Sequence, residues 1–394
     1  MASLEQTLNR YRGIGPGFDF LRVFLAVCIV FVHAIQLTGY REALMETPGW
    51  FLTYALVPMF FALSGFLITA SAIRLSLKNF LLNRGLRIVP ALAVDVVICA
   101  LVIGPLLTTY SLGDYFSGAS FRVYFLNVFG WIHYSLPGVF TNNHSDQVNG
   151  ALWTVPYEIM CYVFAAIFIV ANWLRSKFKV LALTTVFLLV GGFIHPFGLF
   201  AMLPETLQGA ADFLLVSKES QILEAFLLGI VAYQWRASIQ YSKTAFWGCV
   251  ALCILAALFP RVASWNISRL VLLPALTYMT VFIGLSAIPI PSYFKKGDYS
   301  YGIYLYHDPL MQSVIALFPA IAMGSYAGTA FTFLCGLSMV LLMSNLSWHF
   351  VEKPILAMRK RFSFVAKVRD LGDGATRADT GASLPEDVTA APER

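Results

Sequence analysis

Two histidines and one glutamate stand inside apolar segments of this sequence, where ionisable side chains are costly. They are His33, His307 and Glu158. Placing such a group in a membrane costs roughly 2.5–3.5 kcal/mol, so each one needs a structural or chemical reason. A neutral imidazole can accept a proton, and a carboxylate can orient an imidazole or bind hydroxyls. The three residues are therefore candidate catalytic residues, whereas Asp95 and Glu224 are interpreted as structural.

Arg22 precedes His33 in the first apolar segment by eleven positions. Eleven helical steps of ~100° complete about three turns, so both side chains share one helix face. At ~1.5 Å per residue, His33 lies about 16 Å deeper than Arg22, near the middle of a bilayer. The spacing predicts a cation at one mouth of the bundle and an imidazole at its centre. An interfacial arginine and a packed histidine would have the same spacing.

Arg84 and Arg87 lie one turn apart between two apolar segments. Their planar guanidinium groups suit the bidentate recognition of phosphate. With Arg22 they form a candidate binding site for a phosphorylated ligand. A loop that touches lipid headgroups remains the alternative interpretation.

Four further residues in these segments are candidates for substrate contact: Ser64, Trp153, Tyr301 and Tyr304. Ser64 and Gly65 are also the small residues that allow close helix packing. Pro156 and Pro309 are expected to kink their helices, because proline removes a backbone hydrogen bond.

The elements that must position these residues are apolar helices. The chain has 394 residues, of which 58% are hydrophobic and 12% charged, and its mean hydropathy is +0.72. A soluble domain carries about 25% charged residues. We expect an all-α integral membrane protein with about ten spanning helices. The apolar segments are Phe20–Leu37, Trp50–Ile73, Ile88–Thr109, Leu152–Leu174, Val180–Ile194, Ile222–Trp235, Ala245–Val262, Leu270–Ile290, Tyr301–Ala322 and Ala327–Phe350.

The distribution of basic residues predicts the orientation of these helices. With ten spans, 22 of the 27 Lys and Arg residues fall on the side of the two termini, and five (Arg41, Arg122, Lys218, Arg261 and Arg269) fall opposite. The positive-inside bias makes the first side cytoplasmic, in a bacterial inner (plasma) membrane. We expect a cytoplasmic segment at 1–19, a transmembrane domain at 20–356, and a basic, then disordered, tail at 357–394. No cleavable signal peptide is expected.

Other classes are disfavoured by the same distribution. The basic residues lie between apolar segments, so nucleic acid is not an expected partner. The six cysteines form no C-x-x-C pair, so neither a disulfide framework nor a metal site is predicted.

The short motifs around the candidate site residues, taken in chain order, resemble those of the family 3 membrane acyltransferases, and the resemblance covers residues 15–356. The family's Arg/Lys, ten residues and His are matched by Arg22 and His33, and its F-F-x-L-S-G-F-L by Phe60 to Leu67. Its R-x-x-R and I-x-P are matched by Arg84, Arg87, Ile88 and Pro90, and its W-[ST]-x-x-x-E-x-x-x-Y by Trp153, Thr154, Glu158 and Tyr162. Its S-Y-x-x-Y-L-x-H-x-P and E-K-P are matched by Ser300, Tyr301, Tyr304, Leu305, His307, Pro309, Glu352, Lys353 and Pro354. Asp308 departs from the family, which usually has an aromatic residue between His307 and Pro309.

The resemblance implies transfer of an acyl group, usually acetyl from cytoplasmic acetyl-CoA, to a hydroxyl of a sugar or related acceptor. The arginines would meet the phosphates of CoA. His33 would remove the acceptor proton or carry the acyl group itself. Glu158 would orient or protonate the imidazole, or bind acceptor hydroxyls. The expected acceptor is a lipid-linked or nascent envelope glycan, such as an exopolysaccharide or lipopolysaccharide unit, with no metal required.

Three alternatives remain open at the level of sequence. The acyl group could be succinyl or another acyl chain, or the acceptor a small molecule. A transporter could use the buried His, Glu and Asp residues as a proton relay, although no inverted repeat is evident. A passive scaffold would leave His33, Glu158 and His307 unexplained together.

Overall fold

The computed structural model describes residues 2–11, 13, 15–194, 204–211, 214–215, 220–259, 268–289, 291, 294 and 297–362. Over these ranges the chain is helical and has no strand, only the isolated bridges Ser3–Gln240 and Thr108–Val139. The predictions for Lys218, Arg261 and most of the C-terminal tail concern residues outside these ranges.

The first half of the chain contains ten α-helices. They are α1 (Leu4–Arg10), α2 (Phe18–Ile35), α3 (Arg41–Glu46), α4 (Trp50–Ala72), α5 (Leu77–Ile98), α6 (Gly104–Leu107), α7 (Leu112–Ser117), α8 (Ala119–Tyr124), α9 (Val155–Val170) and α10 (Lys177–Leu189). Six π-helical or 3₁₀ segments join or extend them: Gln36–Tyr40, Cys99–Ile103, Phe125–Phe129, Gly150–Thr154, Trp173–Arg175 and Val190–Ile194.

The described part of the second half continues with α11 (Glu205–Ala211), α12 (Ser220–Gln234), α13 (Lys243–Ala257), α14 (Arg269–Leu285), α15 (Ser300–Leu317), α16 (Pro319–Ala322), α17 (Tyr326–Ser347) and α18 (Lys353–Phe362). A π-helical segment, Trp348–Glu352, joins α17 to α18.

Every predicted apolar segment contains a helix, which confirms an all-α membrane protein. By length and composition, five helical stretches suffice to cross a membrane: Phe18–Glu46, Trp50–Ala72, Leu77–Leu107, Gly150–Val170 and Tyr326–Met358. Three shorter apolar helices are α12, α13 and α14. The number of ten spans and the cytoplasmic termini remain predictions.

Two helices organise the packing. Helix α15 packs against α2, α5 and α17, and α4 packs against α2, α12 and α14. The contact between α4 and α12 is close, because a Cβ at Gly65 would meet the backbone of Phe226 and a Cβ at Gly229 would meet the backbone of Ala62. The small residue predicted for helix packing therefore has that role, and α2, α4, α5, α9 and α15 enclose the interior of the bundle.

The proline expectations need one correction. Pro156 lies in the first turn of α9, after the 3₁₀ segment Gly150–Thr154, so it starts the helix and does not kink it. A proline there leaves no helical hydrogen bond unmade, since the first backbone N–H groups of a helix have no partner within it. Pro309 lies inside α15, which continues on both sides of it.

Candidate active site

A cavity of about 280 Å³ collects most of the predicted site residues. It is lined by Arg22, Arg84, Arg87 and Glu158, and by the candidate substrate residues Ser64, Tyr301 and Tyr304. We call it the arginine cavity. The three guanidinium groups come from the N-terminal parts of α2 and α5, so they lie at one end of the bundle.

Two of the three arginines share a carboxylate that the sequence did not single out. Arg22 Nη1 lies 3.1 Å and Arg87 Nη2 2.5 Å from Oδ2 of Asp298, just before α15. Ser300 donates a hydrogen bond to the other oxygen of Asp298. Burial raises the pKa of the Asp298 carboxyl, but the guanidiniums of Arg87 and Arg22 outweigh burial and hold that pKa well below its usual range. Asp298 therefore fixes both arginines as an ionised counter-ion.

Arg84 forms no ion pair with any acidic residue of the described chain. Its guanidinium carbon lies 6.0 Å from the ring centres of both Phe80 and Tyr162. Its Nε is buried and has no hydrogen-bond partner. Arg84 is thus the arginine of this cavity whose charge is most available to an anionic ligand.

Glu158 faces the same cavity, but its partner is a tyrosine. The hydroxyl of Tyr162, one turn later on α9, donates a 2.7 Å hydrogen bond to Oε1 of Glu158. The predicted contact between Glu158 and His33 does not occur in the structure, because the two residues line different cavities. Glu158 lies beside the arginines, where it can bind a donor or acceptor group.

A second cavity, of about 320 Å³, contains His33. We call it the histidine cavity. Its polar and aromatic lining comprises His33, Gln36, Arg41, Trp50, Thr53, Tyr54, Trp153, Gln221 and Tyr304. His33 lies in the last turn of α2, whereas Arg22 lies near its start. The two cavities therefore lie towards opposite ends of this helix.

One tyrosine stands between the cavities. Tyr304 and Val57 line both of them. The hydroxyl of Tyr304 is 2.8 Å from the hydroxyl of Thr154 and donates to the carbonyl oxygen of Ala151 at 3.2 Å. These bonds hold the aromatic ring in place as part of the wall between the arginines and His33.

His33 belongs to a compact group of ionisable side chains. Its ring centre lies 4.6 Å from that of His307, edge to face, and its Nδ1 lies 3.7 Å from Oδ1 of Asp308. His307 is completely buried, and its Nδ1 donates to the carbonyl oxygen of Tyr304 at 2.5 Å. His307 lines neither cavity, and its contact with this group is the ring packing against His33.

The same group could hold a metal ion. His33, His307 and Asp308 each offer one ligand atom, and these atoms lie within 4.8 Å of one another. Imidazole and carboxylate ligands suit transition metals, and the His307 Nδ1 bond fixes its tautomer as in many metal sites. Zinc bonds of ~2.0–2.2 Å need ligand atoms about 3.4 Å apart, so the side chains would have to move together.

The structure thus brings the predicted residues together in two groups. Arg22, Arg84, Arg87, Glu158, Ser64, Tyr301 and Tyr304 line one cavity, and His33, Trp153 and Tyr304 line the other. Sequence reasoning missed the contributions of Asp298 and Asp308. An acid directly before or within the histidine-bearing helix was the available signal, but its partner lies on another helix.

A family described as an acyltransferase domain matches residues 16–348. A protein named O-acetyl transferase, from Shigella phage Sf6, is 27% identical over 347 residues, which cover 86% of this chain and 95% of the relative. Nodulation protein 10, from Rhizobium leguminosarum bv. viciae, is 28% identical over 390 residues, which cover 89% and 95%. No solved structure matches the chain.

Proposed function

The chain belongs to the acyltransferase family that matches residues 16–348, and from this premise we propose that it transfers acetyl from cytoplasmic acetyl-CoA to a hydroxyl of an envelope glycan. Membrane acyl transfer agrees with the family and with the name of the phage relative.

The donor site in this proposal is the arginine cavity. CoA carries several phosphate groups, and guanidinium groups bind phosphate by charge-assisted, often bidentate, hydrogen bonds. Arg84 is the principal contact, because Arg22 and Arg87 already hold the carboxylate of Asp298, which leaves the two of them one net positive charge. The narrow pantetheine arm then extends between α4 and α15 towards Tyr304, with the thioester at its tip.

The acceptor site in this proposal is the histidine cavity. Trp153 offers an aromatic face, and Gln36 and Gln221 offer amide donors and acceptors. Sugars present both apolar C–H faces and hydroxyls, so aromatic and amide side chains together suit them. A glycan on a lipid carrier would reach this cavity from the membrane.

The chemistry in this proposal takes place at the wall that the cavities share. His33 accepts the proton of the acceptor hydroxyl, and the hydroxyl oxygen attacks the thioester carbonyl. The carbon–sulfur bond then breaks, and the CoA thiolate receives the proton from the imidazolium. Acetyl ester and free CoA are the products, so no other co-reactant is needed. The alternative in which His33 itself carries the acetyl group requires the same position.

One observation carries the proposal: a cavity lined by arginines and a cavity lined by a histidine share Tyr304 as a wall. A donor that enters from one end of the bundle and an acceptor that enters from the other would meet there.

The test compares the acetyl content of surface glycan from cells with the gene, without it, and with the His33→Ala variant. We expect ester-linked acetyl groups with the wild-type protein, but not without the gene and not with His33→Ala. Trp247→Ala, which replaces an exposed residue remote from both cavities, is the control and should restore acetylation. Equal acetyl content in all strains would refute the proposal. Succinyl esters or an acylated small molecule in place of acetyl glycan would replace its donor or acceptor.

A further inference from the structure

Asp308 is the carboxylate closest to the proposed base, and it is built into the protein interior. Its side chain is 3% exposed. One oxygen accepts a hydrogen bond from the backbone N–H of Gly150, at the start of the 3₁₀ segment. The other, Oδ1, is buried without a hydrogen-bond partner and lies 3.7 Å from His33 Nδ1.

The loop that holds Asp308 is itself fixed. The amide of Asn149 donates to Oδ2 of Asp95 on α5 at 2.9 Å and to the carbonyl oxygen of Leu305 on α15 at 3.0 Å. The N–H of Gly150 is thereby held against α15. A carboxylate anchored by one oxygen, with its other oxygen directed at an imidazole, cannot turn away when that imidazole changes charge.

We propose that Asp308 is a positioning residue that orients His33 and balances its charge while His33 carries a proton. This inference rests on the proposed function, in which His33 is the base. A hydrogen on Nδ1 that points to Asp308 leaves the lone pair of Nε2 for the acceptor hydroxyl. This arrangement follows the general rule that a buried carboxylate behind a histidine fixes its tautomer and stabilises the imidazolium.

The proton balance is simple. His33 Nε2 gains the proton of the acceptor hydroxyl, and the ring becomes an imidazolium with Nδ1–H directed at the Asp308 carboxylate. When the proton passes to the CoA thiolate, the ring of His33 returns to neutral imidazole. Asp308 gains and loses no proton in the cycle. The negative charge of Asp308 lowers the energy of the His33 imidazolium, because a buried charge without a counter-charge is costly.

None of the other described ionisable groups around His33 can both orient its ring and balance its positive charge. Arg41 on α3 is cationic, Tyr54 on α4 and Tyr304 on α15 are phenols, and His307 already directs its Nδ1–H to a carbonyl oxygen. Helix α17, which also packs against α2, has no acidic or basic residue. On α14 the only charged residue is Arg269, which pairs with Glu224.

The test uses the full chain in nanodiscs, with radiolabelled acetyl-CoA and an oligosaccharide acceptor. Asp308→Asn keeps the shape of the side chain and can still accept from Gly150. We expect kcat to fall about 100-fold or more, while KM for either substrate changes less than about threefold, because orientation and charge balance act on the transition state.

Asp95→Asn is the matched control. Asp95 is also a buried acid bonded to the same loop, but it does not contact His33. We expect it to lower thermal stability and, because the loop is held less firmly, to lower kcat by less than about tenfold. If both variants lower kcat equally, Asp308 only anchors the loop and the inference is wrong.

Asp308→Glu is a second variant, which keeps the test valid if Asp308→Asn does not fold. It keeps the charge, so it should retain at least about tenfold more activity than Asp308→Asn. Equal losses in Asp308→Asn and Asp308→Glu would overturn the inference, as would wild-type activity that is lost to a chelator and restored by zinc. Wild-type protein that transfers no acetyl would overturn both this inference and the proposed function. Active wild type with unaffected Asp308→Asn would overturn the inference alone.

Discussion

Replacing Arg84 by alanine should weaken the binding of acetyl-CoA. The loss should exceed the loss caused by replacing either of the other arginines of the arginine cavity, Arg22 or Arg87, by a neutral residue of similar size. The Arg84 guanidinium carbon lies 6.0 Å from the ring centres of Phe80 and Tyr162, and Arg84 forms no ion pair with an acidic residue of the described chain. Arg22 and Arg87 keep one net positive charge, but both guanidiniums already hold the carboxylate of Asp298. At Arg84 a ligand phosphate competes with no such ion pair.

The magnitude follows from the contact that would be lost. A hydrogen bond to a charged group contributes about 1.5–3 kcal/mol. Each ~1.4 kcal/mol is a factor of ten in Kd, so we expect binding of acetyl-CoA to weaken about 10- to 150-fold in Arg84→Ala. Arg84→Lys keeps the charge but loses the planar guanidinium and its contacts with the aromatic rings. Its Kd for acetyl-CoA should therefore lie between those of the wild type and Arg84→Ala.

Isothermal titration of acetyl-CoA into protein in nanodiscs measures this directly. Arg74→Ala is the control, because Arg74 donates to the carbonyl oxygen of Ala70 and does not line the cavity. Its Kd should stay within about twofold of the wild type. Wild-type affinity in Arg84→Ala would refute the donor site, and an equal loss in Arg74→Ala would show that only surface charge matters.

Three further predictions concern packing, pH and the acceptor. Gly65→Ala should lower thermal stability measurably, since its Cβ would meet the α12 backbone, whereas Gly85→Ala should not, because its Cβ meets open space. Asp298→Asn should lower the melting temperature at pH 7, and this difference should narrow only as the pH falls below about 4, because a depressed carboxyl pKa gives stability that is lost on acidification. Trp153→Ala should raise KM for a glycan acceptor about tenfold, and the exposed Trp247→Ala should not. Equal melting curves for the two glycine variants, a pH-independent Asp298→Asn difference, or unchanged KM in Trp153→Ala would contradict these arguments.

The sequence predicted the helices well because apolar length and composition are local properties. Each apolar segment contains a helix, and Arg22 and His33 lie on the same one, α2. The start of α5 was misplaced, because the predicted segment Ile88–Thr109 begins eleven residues after Leu77, where polar and basic residues interrupt the apolar pattern. The π-helical and 3₁₀ turns at Cys99–Ile103 and Gly150–Thr154 were not predicted, since such turns have no strong local pattern.

Most of the predicted site residues line the two cavities, but their arrangement differs from the one that the sequence suggests. A single sequence shows that Arg22 and Arg87 are basic, but not that Asp298, 276 and 211 positions away, is their shared partner. It also could not show that Glu158 and His33 would face different cavities, because that depends on how α9 and α15 pack around Tyr304. Contacts between distant segments are set by tertiary packing, which one sequence does not display.

Asp308 is a further residue whose contact with a distant segment could not be predicted from the sequence. At the level of sequence it is a departure from the family pattern, which usually has an aromatic residue at this position. In the structure its carboxylate lies beside His33, and the ring contact is made instead by the two histidines.

The central claim is that a donor in the arginine cavity and an acceptor in the histidine cavity react at His33. Proteoliposomes that hold the protein in one orientation, with labelled acetyl-CoA on the side of the termini and acceptor on the other, test it most directly. The account predicts transfer of label by the wild type, and none by His33→Gln even though it binds acetyl-CoA with unchanged Kd. Transfer at the wild-type rate by His33→Gln, or transfer only when both substrates share one side, would contradict it.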